Sequence, residues 1–396
     1  MYRGNQPEPI VVAIVPVYNE ERGVKDTINS LFNQTTPPRL VIIVANNCKD
    51  NTANAARELI PTYGQEHLQV LEFPKLEGKK AGALNRGYFY VRDNSNLKPE
   101  FILQMDGDTV LEEHLIEQAV IEFDRDDYMI RKGGKKHERR LGGICSRCIP
   151  LPLESCMPAH PVTGVRKKPS LQNKILWKFQ NLEYGQADPY RLKTLGNVKV
   201  LAGAVSVYRY DALEQVLEYN RSLGLNEVWS ETSLVEDLKL TITTKKLGWK
   251  ASVGWRMKSE TDIPLTFKDF FNQRKRWYGG TALEAREIGI FRKFARDEFL
   301  AVLMAVVIWA LLGVMTWLIA KVYLAGGSVD WITPWLALLP VMWSILQFQL
   351  LFVRRKDVWQ ILITTTILPY QLFDIYKQYI LLYSWYQCYR GKLSSW

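Results

Sequence analysis

Four short stretches of the chain carry residue types that could do chemistry. Asp106, Gly107 and Asp108 set two carboxylates one residue apart after the apolar run FILQM. Such a pair on a tight loop can share a hard divalent cation, and the cation can bridge the phosphates of a nucleotide. By itself the pattern is weak, because acidic pairs in turns are common and ordinarily solvated. EGKKAGALNRG sets Lys79 and Lys80 at the start of a helical pattern, where backbone N–H groups and the positive end of the helix dipole favour phosphate. The same residues suit an ordinary amphipathic helix with a lysine-rich first turn. SLVEDLKLTITTKKLGW opens on Glu236 and Asp237. A carboxylate there serves either as a helix cap or as a general base for a hydroxyl nucleophile, and the apolar pattern, alternating or helical, does not choose. Finally, FFNQRKRWYGG, residues 270 to 280, sets Arg274, Lys275 and Arg276 before Trp277 at the threshold of the first long apolar run. It reads either as a positive membrane flank or as a catalytic motif held at a bilayer surface.

The elements that must position these residues follow from periodicity. PIVVAIVPVYNEE reads as a buried strand over Ile10 to Val15, ending in a loop that contains Pro16, and VKDTINSLFNQ has helical spacing. The alternation continues through LVIIVANN, a helix after the Asn/Asp/Thr cluster at 50 to 54, HLQVLEFP, KKAGALNRGYFYVRD and FILQMDGD. This order predicts an α/β fold with a mostly parallel sheet and helices on both faces. Ligands bind such sheets at the carboxyl ends of the strands. VPVYNEE, ANNCKDNT and the Asp106/Asp108 pair all fall at those ends.

Hydropathy divides the 396 residues unevenly. Residues 1 to 297 read as soluble, whereas Phe299 to Ala320 and Trp331 to Val353 are uncharged runs of 22 and 23 residues, and roughly 20 helical residues cross a bilayer. A third segment, apolar from Val358 to Phe373, holds Pro369 and then Asp374 and Lys377 before resuming as YILLYSWYQCY. It reads as a kinked span, a re-entrant hairpin or an interfacial helix, and a span is favoured. The predicted organisation is a cytosolic domain over 1–262, amphipathic interface helices over 263–297, and a membrane region over 298–396 with spans near 299–322, 332–353 and 358–386.

Arg292, Lys293 and Arg296 precede the first run, Arg354, Arg355 and Lys356 follow the second, and the connecting AGGSVD carries only Asp330. The positive-inside rule then puts the large domain in the cytosol. The polar MYRGNQPEPI is no signal peptide. Much of the net charge of +10 sits in RKGGKKHERR, residues 131 to 140, and near the apolar runs, which suits a solvated loop and lipid headgroups. No nucleic-acid motif stands behind it. The five cysteines are an odd number and argue against a disulfide framework. Cys145, Cys148, Cys156 and His160 have the spacing C-x2-C-x7-C-x3-H, which could surround zinc. Against that, a strand over GGICSRCI points Cys145 and Cys148 to opposite faces of the pleat.

In order, PVYNE, NNCKDNT, GKKAGALN, the D-x-D, LAGAVSVYRYDAL, VEDLKL and Q-x-x-R-W resemble the membrane-embedded family 2 glycosyltransferases. The branch most alike is the processive one, with the cellulose, chitin, hyaluronan and poly-N-acetylglucosamine synthases. Any one motif is weak; the ordered set, covering about residues 10 to 280, is specific. The resemblance implies a GT-A fold, a nucleotide-sugar donor, usually a UDP-sugar, and Mg2+ or Mn2+. Carried over, Pro16, Tyr18, Glu20 and the second-strand turn with Asn46 and Asp50 would border the nucleoside. Lys79 and Lys80 would approach the phosphates, with Asn85 nearby. Asp106 and Asp108 would hold the ribose or sugar and the metal. Asp237 matches the general base, and Gln273, Arg276 and Trp277 match Q-x-x-R-W.

This implies an inverting transferase of an inner membrane that extends a polysaccharide. Its partners would be a glycan or lipid-linked acceptor, membrane lipids, and a second protomer or accessory export protein to complete a channel. The nearer rival is transfer of one or a few sugars to a lipid acceptor; the more distant is a non-catalytic scaffold or transport component. One departure stands out. The family's second-strand turn supplies an Asp where this chain has Asn46, an amide without charge.

Overall fold

The computed structural model of the protein describes residues 7–94, 96–133, 139–157, 166–193, 197–289, 291–327 and 332–393. The chain divides into two compact units, one of Met1–Cys156 with Tyr190–Ile263, the other of Met157–Pro189 with Pro264–Trp396. The first opens with β1 (Val11–Val17), α1 (Val24–Phe32), β2 (Leu40–Asn46), α2 (Thr52–Arg57), α3 (Ile60–Tyr63), β3 (Leu68–Phe73) and α4 (Lys79–Asn94). It continues with β4 (Phe101–Met105), β5 (Thr109–Leu111), α5 (Leu115–Gly133), β6 (Leu141–Pro150) and α6 (Leu153–Cys156). Most of α7 (Leu171–Lys193) belongs to the second unit. The chain then returns to the first unit for β7 (Val205–Arg209), α8 (Tyr210–Ser222), α9 (Glu236–Lys246) and β8 (Lys250–Thr261). The second unit is completed by α10 (Phe267–Ile288), α11 (Lys293–Leu324), α12 (Ile332–Leu350), α13 (Val358–Thr366) and α14 (Leu368–Tyr389).

The sheet order is β3-β2-β1-β4-β7-β6-β8-β5. β3, β2, β1 and β4 are parallel, as the alternation predicts. Beyond β4 the sheet is mixed: β4 with β7, β7 with β6 and β8 with β5 are antiparallel, and β6 with β8 is parallel. The direction of β7 has a local cause. The Asp106 amide donates to the Ala204 carbonyl at 3.0 Å, so β7 starts beside the carboxyl end of β4 and must run back along it. That brings residues 201 to 204 to the strand ends where the polar clusters lie.

β1, β2 and β4 are buried along their whole lengths, which is why they read as continuous apolar runs rather than alternating ones. Val11, Ala13, Val15 and Val17 pack with residues of α1, α2 and α5, while Val12 and Ile14 pack with α4, α8 and α9 on the other face. β1 runs two residues further than expected and includes Pro16, paired with Val44 of β2. Its ladder with β4 ends at Ile14, so past that point one edge is open and a residue without an N–H is tolerated. The apolar pattern after Glu236 forms a helix despite its threonines. The Thr241, Thr243 and Thr244 hydroxyls donate to the carbonyls four residues back, at 2.7, 3.0 and 2.8 Å, a pairing open to a helical threonine.

In the second unit α10 begins at Thr266, whose hydroxyl accepts from the Asp269 amide at 3.1 Å. Its core joins Leu176, Phe179 and Leu182 of α7 to Phe270, Leu346, Leu350, Tyr370, Phe373 and Ile380. Among the described residues one helix, α11, is long and apolar enough to cross a membrane. The third apolar segment, expected as a single span, is two helices that break at Ile367, with φ of 61°. Pro369 explains the break: without an N–H it cannot continue α13, and near the start of α14 its missing donor costs nothing. Asp374 and Lys377 pair at 2.8 Å, with Glu183 3.9 Å from the Lys377 ammonium. Cys145 and Cys148 are both buried in β6, whose pairing with β8 is irregular between Cys145 and Arg147. His160 lies outside the described residues.

Candidate active site

The first unit gathers its polar side chains where the four parallel strands end. Gly107 sits so tightly there that a Cβ would lie 2.6 Å from Val17 Cγ1. The Thr27 hydroxyl is 2.8 and 2.9 Å from the Gly107 and Thr109 carbonyls. These contacts fix the turn between Asp106 and Asp108.

Lys80, in the first turn of α4, is the hub. Its ammonium forms an ion pair with Asp106, lies 3.5 Å from Glu236 Oε1, and donates to the Gly203 carbonyl at 3.3 Å. Burial would favour the neutral amine, but the carboxylates of Asp106, Glu236 and Asp237 hold the lysine charged and well above its ordinary range. Asp237, in the first turn of α9, accepts from the Gly203 amide at 3.0 Å and from the Leu238 amide at 2.8 Å. Burial and the adjacent Glu236 push its carboxyl up to about 6, against the lowering pull of Lys80 and the two amides. Asp237 is no helix cap, since Val235 occupies that position. It is a held carboxylate whose proton affinity lies near neutrality, as a general base requires.

A second acidic group flanks this hub. Burial and the carboxylates of Asp108, Asp262, Asp106 and Asp50 push Glu20 up to about 8. Burial, Asp106 and Asp262 push Asp108 up to about 7. Among the described residues no three His, Cys, Asp or Glu side chains converge on one point that would hold a metal ion. Two hard oxygen donors amid excess negative charge nevertheless fit a cation of the Mg2+ kind, which keeps few protein ligands and completes its shell from phosphates and water.

On the other side of the strand ends, the asparagines of the second-strand turn act as donors. Asn46 donates to the Lys79 carbonyl at 2.8 Å, and Asn47, at φ of 56°, exchanges hydrogen bonds of 3.0 Å in both directions with the Leu76 backbone. An ionised aspartate could do neither, which accounts for the amide at Asn46. The Asn46 side-chain oxygen, Oδ1, is buried without a partner among the described residues. Asp50 is held below the usual carboxylate range, because bonds from the Thr52 hydroxyl and the Glu21 and Thr52 amides outweigh its slight burial. It ties the turn to the loop after β1. Asn85 has a different job from the one expected. It is buried, its amide donates to the Trp229 carbonyl and Glu231, and its oxygen accepts from the Val228 and Trp229 amides. These four bonds hold the 228–231 segment against α4. Pro16 is buried in β1, while Tyr18 and Lys79 are exposed.

Gln273, Arg276 and Trp277 belong to α10 in the second unit, and all three are half-buried. The Gln273 oxygen accepts from Arg274 at 2.7 Å, and the Arg274 guanidinium lies 4.2 Å from the centre of the Trp277 ring. Sequence reasoning missed Gly203, Asp262 and Arg274. Gly203 is legible only as part of LAGAV, and Asp262 has no local signal. Arg274 could have been found from the spacing of Phe270, Arg274 and Trp277 on one helical face.

A family model described as glycosyltransferase-like family 2 matches residues 7–280. A poly-β-1,6-N-acetyl-D-glucosamine synthase of Staphylococcus epidermidis is 25% identical over 274 residues, 67% of this chain and 53% of that protein. Chitin synthase 2 of Cryptococcus neoformans is 27% identical over 184 residues, 36% of this chain and 19% of that protein. The chain thus spans about half the length of the first of these relatives and less of the second. Among solved structures, a mannosyltransferase from Pyrobaculum calidifontis, in complex with GDP-mannose and Mn2+, covers 98% of this chain and 88% of its own. Its TM-score is 0.56 at 16% identity, a likeness of fold.

Proposed function

The chain belongs to the glycosyltransferase-like family 2, and on that premise we propose that it is an inverting transferase acting at a membrane. It moves a sugar from a nucleotide-sugar donor, UDP-linked in our reading, to a growing polysaccharide. The observation that carries the proposal is Asp237, a tethered carboxylate raised to about 6 beside the Lys80–Asp106 pair. Asp237 takes the proton of an acceptor hydroxyl as the oxygen attacks the anomeric carbon. The bond from that carbon to the phosphate oxygen breaks on the opposite face, its electron pair leaves with the diphosphate, and the configuration inverts. Lys80 and Lys79 at the start of α4 stabilise the charge growing on the diphosphate. Within the second unit, Trp277 offers a flat apolar face and Gln273 an amide, both suited to an acceptor sugar.

Asp106 and Asp108 would hold Mg2+ or Mn2+, which when bound neutralises diphosphate charge. The relative named for poly-N-acetylglucosamine synthesis supports the polysaccharide. The structural neighbour solved with GDP-mannose and Mn2+ supports a nucleotide sugar and a metal. We take α11 as the anchor in an inner membrane, with residues 1–262 cytosolic, 263–297 interfacial and 298–396 in or on the bilayer. Lipids, and a second protomer or accessory export protein, are its expected neighbours. Since α11 alone among the described helices meets the length and apolarity of a span, transfer of one or a few sugars to a lipid-linked acceptor is the second reading. Product size on a gel separates polymer from single transfer.

The pH profile tests the base. A carboxylate raised to about 6 is active when ionised, so kcat/KM should fall tenfold per pH unit below about 6. An acid limb near 4, the ordinary carboxylate range, would remove Asp237 from that role. Gly203 offers a test that separates activity from folding. A Cβ there would lie 2.9 Å from Lys80 Nζ and 3.3 Å from Asp237 Oδ2. The lysine end can move, so Gly203→Ala should fold with a Tm within about 2 °C of the parent. It should lose about 10- to 100-fold in kcat, because displaced catalytic groups are costly. Unchanged turnover would mean that the Lys80–Gly203–Asp237 arrangement is not used.

A further inference from the structure

We propose that the buried Glu183–Arg274 pair is a positioning device for acceptor binding: it sets which way the Gln273 amide faces and braces the Trp277 ring. The inference rests on the assignment of Gln273 and Trp277 to the acceptor.

The device is built within the second unit from α7 and α10. Phe270, Arg274 and Trp277 fall at helical spacing on one face of α10. Arg274 is 2% exposed. Its guanidinium carbon lies 4.6 Å from the centre of the Phe270 ring and 4.2 Å from that of Trp277. One arm of the fork, Nη2, donates to Glu183 Oε2 on α7 at 2.7 Å, and the other, Nη1, donates to Gln273 Oε1 at 2.7 Å. Glu183 is held ionised by Arg274 and Lys377, against its burial.

The consequence for Gln273 is a fixed orientation. An amide has an acceptor end and a donor end, and the acceptor end is committed to Arg274. That bond turns the NH2 group away from Arg274, and this donor suits the hydroxyl and ring oxygens of a sugar. Trp277 is braced by the same cation, so its orientation does not depend on the acceptor arriving. Arginine suits this task because its flat cation can lie against aromatic rings while its edge serves two acceptors. A lysine can neutralise Glu183 but does not offer that geometry. Packing α7 on α10 does not itself need the charges, since a buried ion pair replaced by apolar residues of similar volume is often neutral for stability.

The test uses the full chain in detergent or liposomes. The donor is UDP-N-acetylglucosamine and the acceptor a β-1,6-linked N-acetylglucosamine pentamer. Arg274→Lys, and the double variant Glu183→Met with Arg274→Met, are expected to raise acceptor KM about tenfold or more with donor KM unchanged, the pattern of lost orientation rather than lost fold. Arg274→Lys keeps the charge opposite Glu183 and covers the case in which the double variant does not fold. A second readout needs no turnover. With 5-fluorotryptophan incorporated and the residue 277 line assigned through Trp277→Phe, that 19F line should shift or broaden in both variants. Trp277→Ala separates the two claims. If it leaves acceptor KM unchanged, the acceptor assignment itself fails. If it raises acceptor KM while Arg274→Lys changes neither KM nor the 19F line, the positioning role is overturned.

Discussion

Asp237→Asn is expected to lower kcat by about 100- to 10,000-fold, the range a positioned general base supplies, while the protein stays folded. The amide is nearly isosteric, and its oxygen can still accept from the Gly203 or Leu238 amide, which bind the carboxylate at 3.0 and 2.8 Å. What it cannot do is take a proton. The stability effect has a definite sign. The folded protein holds the Asp237 proton more tightly than the unfolded chain does, since the value rises from 3.8 to about 6. The group's contribution is therefore most favourable at low pH and is lost as the pH rises through about 6. Above that pH the variant removes a buried charge and should be no less stable than the parent. Lys80 keeps Asp106 and Glu236 as partners. A protein that is folded, at least as stable and nearly inactive separates a base from a structural carboxylate.

The second large effect is expected at the Asp106/Asp108 turn. Asp106→Asn removes the partner of Lys80 and one hard donor, and Asp108→Asn removes the other. Each should lower kcat/KM for the donor by about 100- to 1,000-fold, the usual cost of one preorganised electrostatic group. Each should also raise the Mn2+ concentration needed for half-maximal rate. For the unaltered protein, EDTA should abolish turnover and added Mn2+ should restore it. Activity that survives EDTA, or asparagine variants with an unchanged metal requirement, would take the metal away from these residues. The two substitutions differ in one respect: only Asp106→Asn removes an ion pair of Lys80, which keeps Glu236 and the Gly203 carbonyl.

The parallel half of the sheet was legible because β1, β2 and β4 are buried on both faces and its strands are separated by helices of clear period. The polar residues at the ends of β1, β2 and β4 therefore group together from their spacing alone. The antiparallel return of β7 was not legible, because strand direction after a long excursion depends on which edge is open. Gly203 was missed for the same reason, since its place between Lys80 and Asp237 arises from pairing at the start of β7. The helical state of α9 was hidden by β-branched threonines whose hydroxyls are satisfied inside the helix. Asn46 read as a departure from a carboxylate pattern. Its hydrogen bond to the Lys79 carbonyl turns it into a local requirement of the turn. For Asn85, the residue type was legible but not its four hydrogen bonds to Val228, Trp229 and Glu231. Glu183 and Arg274 are 91 residues apart, a separation that local periodicity does not span.

The most direct measurement is turnover of a donor panel by the purified full chain. UDP- and GDP-linked sugars are supplied with Mn2+ and a glycan primer, and release of nucleoside diphosphate is followed together with the anomeric configuration of the product. The account predicts that one donor releases its diphosphate in a primer-dependent way, with inversion at the anomeric carbon and with loss of the signal in Asp237→Asn. No release from any donor, or release that Asp237→Asn leaves unchanged, would contradict it.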